Sequence, residues 1–398
     1  MLPETNNETP VINDYVLNPH IKSVFLSHFR SYETLKLNCD AKFIVLNGEN
    51  GAGKTNILEA ISLFSPGRGI RNAKTELLQN AKSDKEPWSI NLQIINNQLK
   101  SSLSAFSEIK TKSDNTLYTK KNFRLDNQHN ISQTGLADYI NMIWLTPQME
   151  RLFIDSSSER RRFFDRFVFT FDPAHAGRLI RFDNTLRERS KLLKQGIMDD
   201  SWLGALEQTL AETASAIMAA RIDLCQKLNA VIARLENIRD YFPKATITLD
   251  SWLYQQLENN TALEIEDFYK ETLKKNRTLD AQTGGTAQGP QKTDFEVFNL
   301  DKNMPSQACS TGEQKALLIT LILAHSLLIQ EEKGQAPILL LDDIVSHLDE
   351  NRRENLFDYL KSFGSQCWLT GVERQNFNSL ENQAQFFKLE NSHIINNG

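Results

Sequence analysis

Gly48-Glu49-Asn50-Gly51-Ala52-Gly53-Lys54-Thr55 satisfies every fixed position of the pattern G-x-x-x-x-G-K-S/T. Such a loop cradles phosphates on inward-turned backbone N–H groups, while its lysine and hydroxyl reach the terminal phosphates and Mg²⁺. Both flanks agree. Before it, Phe43-Ile44-Val45-Leu46 is an apolar run that predicts a buried strand. After it, Ile57, Leu58, Ile61 and Phe64 recur at helical spacing, so a helix opens at Thr55 and Asn56 closes the predicted binding segment. The helix start adds its partial positive charge. The expectation is an ATP site in which Lys54 meets the β- and γ-phosphates and Thr55 holds Mg²⁺.

Working outward, a length of 398 residues allows two or three domains, and 40% apolar with 24% charged residues is ordinary for a soluble globular chain. No run approaches the ~20 apolar residues of a membrane span. Residues 1–20 are polar and lack a signal-peptide pattern, which predicts a flexible tail. Cys39, Cys225, Cys309 and Cys367 are widely spaced, without a C-x-x-C pair. That argues against a zinc site or disulfide framework and for the reducing cytoplasm. The net charge is −5, so binding to nucleic acid must come from local basic clusters.

Val24 to Leu37 reads as a hairpin leading to the loop strand, and Ile90, Leu92, Ile94, Phe123 and Leu125 alternate as in a strand meander with an exposed turn near 110–115. Arg30, Arg68 and Arg71 lie on turns near the loop; nucleotide contact and solvated turn charge both stay open for them. Met142-Ile143-Trp144-Leu145 is a further apolar strand, followed by Pro147 and Gln148. Residues 160–194 carry ten Lys/Arg against four Asp/Glu. That excess suits a polyanion surface through Arg160, Arg161, Arg162, Arg178 and Arg181, or equally a solvated face or arginine clamps within the fold. Steps of three and four from Leu203 to Leu235 predict one long helix, followed by a short strand at 245–249 and another helix at 263–274.

Toward the C-terminus, Ser310-Thr311-Gly312-Glu313-Gln314 opens an apolar helix, which places free N–H groups at a second anion-binding helix start. Ile338-Leu339-Leu340-Leu341 then delivers Asp342 and Asp343 at a strand end. With a phosphate loop in the same chain, Asp342 is expected to meet Mg²⁺ and Asp343 to act as general base on the attacking water. Cys367 to Thr370 predicts another buried strand.

These blocks, in this order, resemble the ABC-type ATPases of chromosome maintenance, the SMC proteins and their break-repair relatives, and most closely the RecF family. The likeness runs from about Val24 to Thr370 and includes Phe29 to Tyr32, Gly48 to Glu59, Glu159 to Asp165, Gly289-Pro290, Ser310 to Leu318 and Leu340 to Asp349. It implies an α/β ABC-type head with mixed sheets, built from 21–158 and 292–398, with a mostly helical lobe inserted at 159–291. It implies a metal contact at Gln148, a signature motif at Ser310 to Gln314 that acts on the ATP of a second subunit, and a D-loop with Ser346 and Asp349. It further implies an ATP-dependent homodimer on double-stranded and gapped DNA, working with RecR and RecO to load RecA. Three departures stand out: Gln291-Lys292 follows Gly-Pro where relatives carry His-Arg, Pro147-Gln148-Met149-Glu150 replaces Pro-Glu-Asp-Leu, and Thr370-Gly371 stands where ABC enzymes place a histidine. Asp343 is one methylene shorter than the usual glutamate, from which slow turnover is expected. The rival classes are the ATPase of a membrane transporter and a non-catalytic ATP-gated scaffold.

Overall fold

A computed structural model describes residues 18–83, 86–111, 116–126, 129–235, 241–251, 261–346 and 348–397. Most of the expected N-terminal tail, the tip of the turn at 112–115 and His347 lie outside them. The chain divides into two compact units, Met1–Thr146 with Gln330–Gly398, and Pro147–Ile329.

The first unit holds two six-stranded sheets. One is antiparallel, in the order β2-β1-β4-β5-β6-β7. Its hairpin β1 (His20–Phe29) and β2 (Tyr32–Asn38) pairs on into the meander of β4 (Ser89–Asn96), β5 (Leu99–Thr111), β6 (Leu117–Leu125) and β7 (His129–Asn130). The other sheet runs β15-β14-β3-β13-β12-β8. Strands β3 (Phe43–Asn47), β8 (Met142–Leu145), β12 (Ile338–Leu341) and β13 (Cys367–Gly371) are parallel and buried along their length. Continuous apolar runs are what parallel strands covered on both faces require. Strands β14 (Ala384–Glu390) and β15 (His393–Asn397) complete that sheet, with only the last pair antiparallel.

Strand register sets the position of the site. Val45 pairs with Leu369, Leu341 pairs with both Leu369 and Leu145, and Thr370 pairs with Leu46. The carboxyl ends of four parallel strands therefore finish at one edge, where open α/β sheets bind ligands. Helix α1 (Lys54–Ser62) follows β3 and packs against both β1 and β13.

The second unit is mostly helical: α2 (Ser157–Phe171), α3 (His175–Lys194), α4 (Asp200–Ala233), α5 (Ala262–Lys275) and α6 (Arg277–Thr283). The long helix predicted for 203–235 is α4. Phe182 of α3, Leu210, Ala214, Ile217 and Met218 of α4, and Ile265, Tyr269 and Leu273 of α5 form its core. A three-stranded sheet joins β9 (Ala245–Asp250), β10 (Asp294–Asn299) and β11 (Met304–Pro305).

This unit is wider than the insertion expected over 159–291. The reason is β10, which bonds to β9 along its whole length, while Phe295 stacks on Phe164 at 4.8 Å. These contacts tie residues after 292 to the inserted helices. Helix α7 (Thr311–Lys333) begins in the second unit and ends in the first. Contrary to the sequence reading, α7 is long and apolar enough to cross a membrane; 83% of its most apolar window is buried inside the protein, as in a core helix.

Candidate functional site

The phosphate loop leaves β3 at Asn47 and enters α1 at Lys54. Two of its glycines are obligatory on steric grounds. Gly53, with φ 102°, is the N-cap of α1, and a Cβ there would collide with Tyr32 Oη; one at Gly48, with φ 150°, would collide with the Leu389 carbonyl. Both conformations lie where an L side chain is strained. Gly48 N–H donates to the Gly371 carbonyl at 3.2 Å, tying the loop to the end of β13.

Lys54 is buried and curls back on the loop, with Nζ donating to the carbonyls of Gly48 (2.5 Å) and Glu49 (2.8 Å). Burial lowers its pKa, against the pull of the Asp343 and Asp342 carboxylates. Thr55 Oγ1 lies 3.0 Å from each carboxylate oxygen of Asp342. Burial raises the Asp342 pKa, and the hydroxyls of Thr370 and Thr55 oppose the rise.

Thr370 belongs to this constellation although its role stayed unassigned in the sequence. Its Oγ1 donates to Asp342 Oδ1 at 2.8 Å and accepts the Asp343 N–H at 2.8 Å. Asp343 has φ 51°, the left-handed region that Asp tolerates better than most residues. This turn follows directly on the end of β12.

These residues fit a Mg²⁺–triphosphate. A hydroxyl and a carboxylate touch each other beside the loop, and a buried lysine curls onto the loop carbonyls. Tyr32 Oη, buried against Gly53, has no hydrogen-bond partner among the described residues. Gln148 is exposed in the 3₁₀ turn Pro147–Arg151, in the second unit, and is not part of the hydrogen-bonded set of Thr55, Asp342 and Thr370.

Of the three turn arginines, two converge on one fully buried carboxylate. Arg30 grips Glu59 of α1 through Nε (2.9 Å) and Nη2 (2.6 Å), and Arg71 Nη1 reaches Glu59 at 3.0 Å and Asn56 Oδ1 at 2.6 Å. This charge-assisted clamp orients α1 from both sides. A glutamate inside the buried run Leu58-Glu59-Ala60-Ile61 was the available signal for it. Arg68 is exposed on its loop.

In the second unit, Ser310 N–H donates to Glu313 Oε2 at 2.8 Å, half of an S-x-x-E capping box that the sequence displays. Lys302 pairs with the same carboxylate, and these partners hold the Glu313 pKa down to about 2. Gln314 is buried and donates to the Ser306 carbonyl at 2.9 Å. Ser310 and Thr311 are exposed, and nothing lies within 4 Å of a Cβ built on Gly312. The first turn of α7 thus presents backbone N–H groups at an open surface. Near the strand end of the first unit, Ser346 Oγ donates to the Asp343 carbonyl at 3.0 Å. Asp349 caps α8 (Glu350–Ser362) by accepting the Arg352 N–H at 2.9 Å.

Much of the basic segment is engaged within the fold. Arg160 forks onto Asp294 (2.8 and 2.6 Å), and Arg161 donates to the Thr293 carbonyl at 2.7 Å. Arg162 pairs with Glu159 and Arg178 with Asp172. Arg189, fully buried, binds Glu207, Asp280 and the Leu273 carbonyl. Arg181 is exposed and has no ion-pair partner among the described residues.

Comparison with known proteins agrees with this geometry. The family model described as RecF/RecN/SMC N terminal domain matches residues 20–395. The DNA replication and repair protein RecF of Rhizobium rhizogenes (strain K84) is 39% identical over 380 residues, 94% of this chain and 99% of its own length. RecF of Brucella abortus (strain 2308) is 40% identical over 369 residues, 93% of this chain and 94% of its own. Among solved structures, that of the recombination mediator protein RecF with ATP in the RecFOR pathway superposes with a TM-score of 0.80, at 24% identity, over 95% of this chain and 97% of that one.

Proposed function

Since this chain belongs to the RecF family within the wider RecF/RecN/SMC group, we propose that it is an ATP-driven clamp of DNA replication and repair. The observation that carries the reading is the contact of Thr55 with Asp342, at the junction of phosphate loop and strand end.

ATP is the substrate. Lys54, released from the Gly48 and Glu49 carbonyls, takes the β- and γ-phosphates, for which the loop N–H groups and the α1 start supply further positive charge. Thr55 and Asp342 would hold Mg²⁺, which would neutralise phosphate charge. Asp343 accepts the proton of the attacking water, and Thr370 holds its backbone in place. An aspartate reaches less far than a glutamate, so turnover is slow.

The open first turn of α7 acts on a second copy. Ser310 to Gly312 of one subunit cap the γ-phosphate held by the other, so ATP closes a homodimer and hydrolysis opens it. The closed dimer binds double-stranded DNA and gap junctions in the cytoplasm and, with RecR and RecO, promotes RecA loading. Support for the DNA reading comes from the relatives' shared name and from the cations of the second unit that remain exposed.

The test is DNA binding to duplex, single-stranded and gapped substrates with and without ATP, read beside phosphate release and a sizing column. ATP-dependent dimerisation and DNA binding are expected together. A monomer that hydrolyses ATP at full rate, with Ser310→Ala silent, overturns the reading.

A further inference from the structure

The ten cations of residues 160–194 include two contrasting groups. Arg160, Arg162, Arg178 and Arg189 are matched to carboxylates, and Arg161 is matched to a carbonyl. Arg187, Lys191 and Lys194 are exposed, and none has a carboxylate within ion-pair distance among the described residues.

These three residues succeed one another at steps of four and three along α3. They therefore form one stripe on a single helix face, about 10 Å long at 1.5 Å per residue. With Ser190, Gly284 and Gly285 they line an open groove of about 580 Å³. Its far wall is the end of α6, where Gly284, at φ 76°, closes the helix by donating to the Asp280 carbonyl at 2.9 Å. Lys194 lies directly over Gly284: a Cβ there would meet Lys194 Cε at 2.8 Å and Nζ at 2.9 Å. The absence of a side chain at Gly284 therefore leaves room for Lys194 to lie across the groove.

Compensation of the helix dipole accounts for Lys191 and Lys194 in the last turn of α3. It does not account for Arg187, which stands outside that turn, nor for a groove beneath all three. A linear row of cations, none ion-paired among the described residues and Arg187 bonded only to Asn184 Oδ1 at 3.3 Å, beside a backbone wall, suits a linear array of phosphates. An acidic peptide of matching affinity would call for an apolar anchor pocket, and Leu186 is the one apolar side chain lining the groove.

We propose that the α3 groove is a phosphodiester-backbone site, with Arg187, Lys191 and Lys194 each contacting a DNA phosphate. This rests on the proposed DNA-binding function and moves the contacts away from Arg160 and Arg161. Such contacts position the duplex without reading its sequence.

The test uses the full chain with ATP and Mg²⁺, and a labelled duplex of two unrelated sequences titrated at several salt concentrations. The variants are Arg187→Gln, Lys191→Gln and Lys194→Gln, singly and combined. Each lost phosphate contact makes the log–log salt slope shallower by roughly 0.9, so the triple variant is expected to lose about 2.7, equally for both sequences. Nucleotide binding and thermal melting are expected to stay at wild-type values, since all three side chains are on the surface. A triple variant whose slope changes by less than one contact's worth overturns the proposal. Failure of the wild type to bind DNA with ATP overturns instead the reading on which the proposal rests.

Discussion

Thr370 Oγ1 donates to Asp342 Oδ1 across 2.8 Å, from the end of one parallel strand to the end of its neighbour. The same oxygen accepts the Asp343 N–H, so one hydroxyl holds a carboxylate and the backbone of the next residue together. Thr370→Val keeps the shape but leaves that N–H unpaired, a penalty of about 1–3 kcal/mol. The expected result is a fall in kcat of roughly tenfold or more, with the KM for ATP changed far less. Thr370→Ser restores the rate. Steady-state ATPase assays of the two variants check it, and an active Thr370→Val beside a damaged Thr370→Ser would show that the methyl group, not the hydroxyl, matters.

Lys54→Ala and Asp343→Asn are expected to part company. Removing Lys54 takes away the charge aimed at the β- and γ-phosphates, so fluorescent ATP-analogue binding should be lost together with dimerisation. Asn at 343 cannot accept the water's proton but keeps the backbone turn, which Asn also tolerates. Binding should survive, turnover should not, and the ATP dimer should persist on a sizing column.

Glu313 is held at about pKa 2 by Lys302 and by Ser310. Its folded pKa is depressed, so its stabilising effect is present above the ordinary carboxylate range and is lost only as pH falls through about 2. Glu313→Gln should therefore weaken the α7 start by the same amount at pH 6 and pH 9. Melting curves at the two pH values check the stability. ATP-dependent dimerisation of the variant, measured beside them, should fall while monomer ATP binding remains.

Asp165 is buried between Arg221, which forks onto it at 2.8 Å twice, and His175 at 2.9 Å. Burial alone works against its charge, but these partners outweigh burial and pull its pKa below the usual range. Arg221 also donates to the Pro290 carbonyl at 2.7 Å, so one buried charge joins α2, α4 and the turn at Gly289-Pro290. Asp165→Asn strands Arg221 and should cost about 3–5 kcal/mol. With the folded pKa depressed, that stabilisation is complete above about pH 4 and is lost as pH falls through the folded value. Denaturant melts at pH 7 check the magnitude, and Arg221→Met added to Asp165→Asn should recover part of it.

What was legible in the sequence was whatever the chain encodes within about ten residues. Phe43 to Asn47 had to be a buried strand, Gly48 to Thr55 a phosphate loop, and 203–235 a helix, because local spacing and backbone freedom leave few alternatives. The second carboxylate strand was legible for the same reason. The fate of the arginines was not. Arg161 meets its acceptor 132 positions later, and Arg189 meets Asp280 after 91. No periodicity announces such partners, so the sequence left surface and internal clamp open for the basic run, and the fold made clamps of Arg160, Arg161 and Arg189.

By itself the sequence pointed to a nucleoside triphosphate as ligand and to the loop, lysine, hydroxyl and acids proposed to hold it. Those functions reside in side chains presented by short elements whose geometry is local. Only the tertiary structure decided that Thr370 links Asp342 and Asp343, that Arg30 and Arg71 grip Glu59, and that Arg187, Lys191 and Lys194 have no carboxylate within ion-pair distance among the described residues. Each of these depends on strand register or helix packing between distant segments. A hydrogen bond has a reach of about 3 Å, and only the folded chain brings such groups that close.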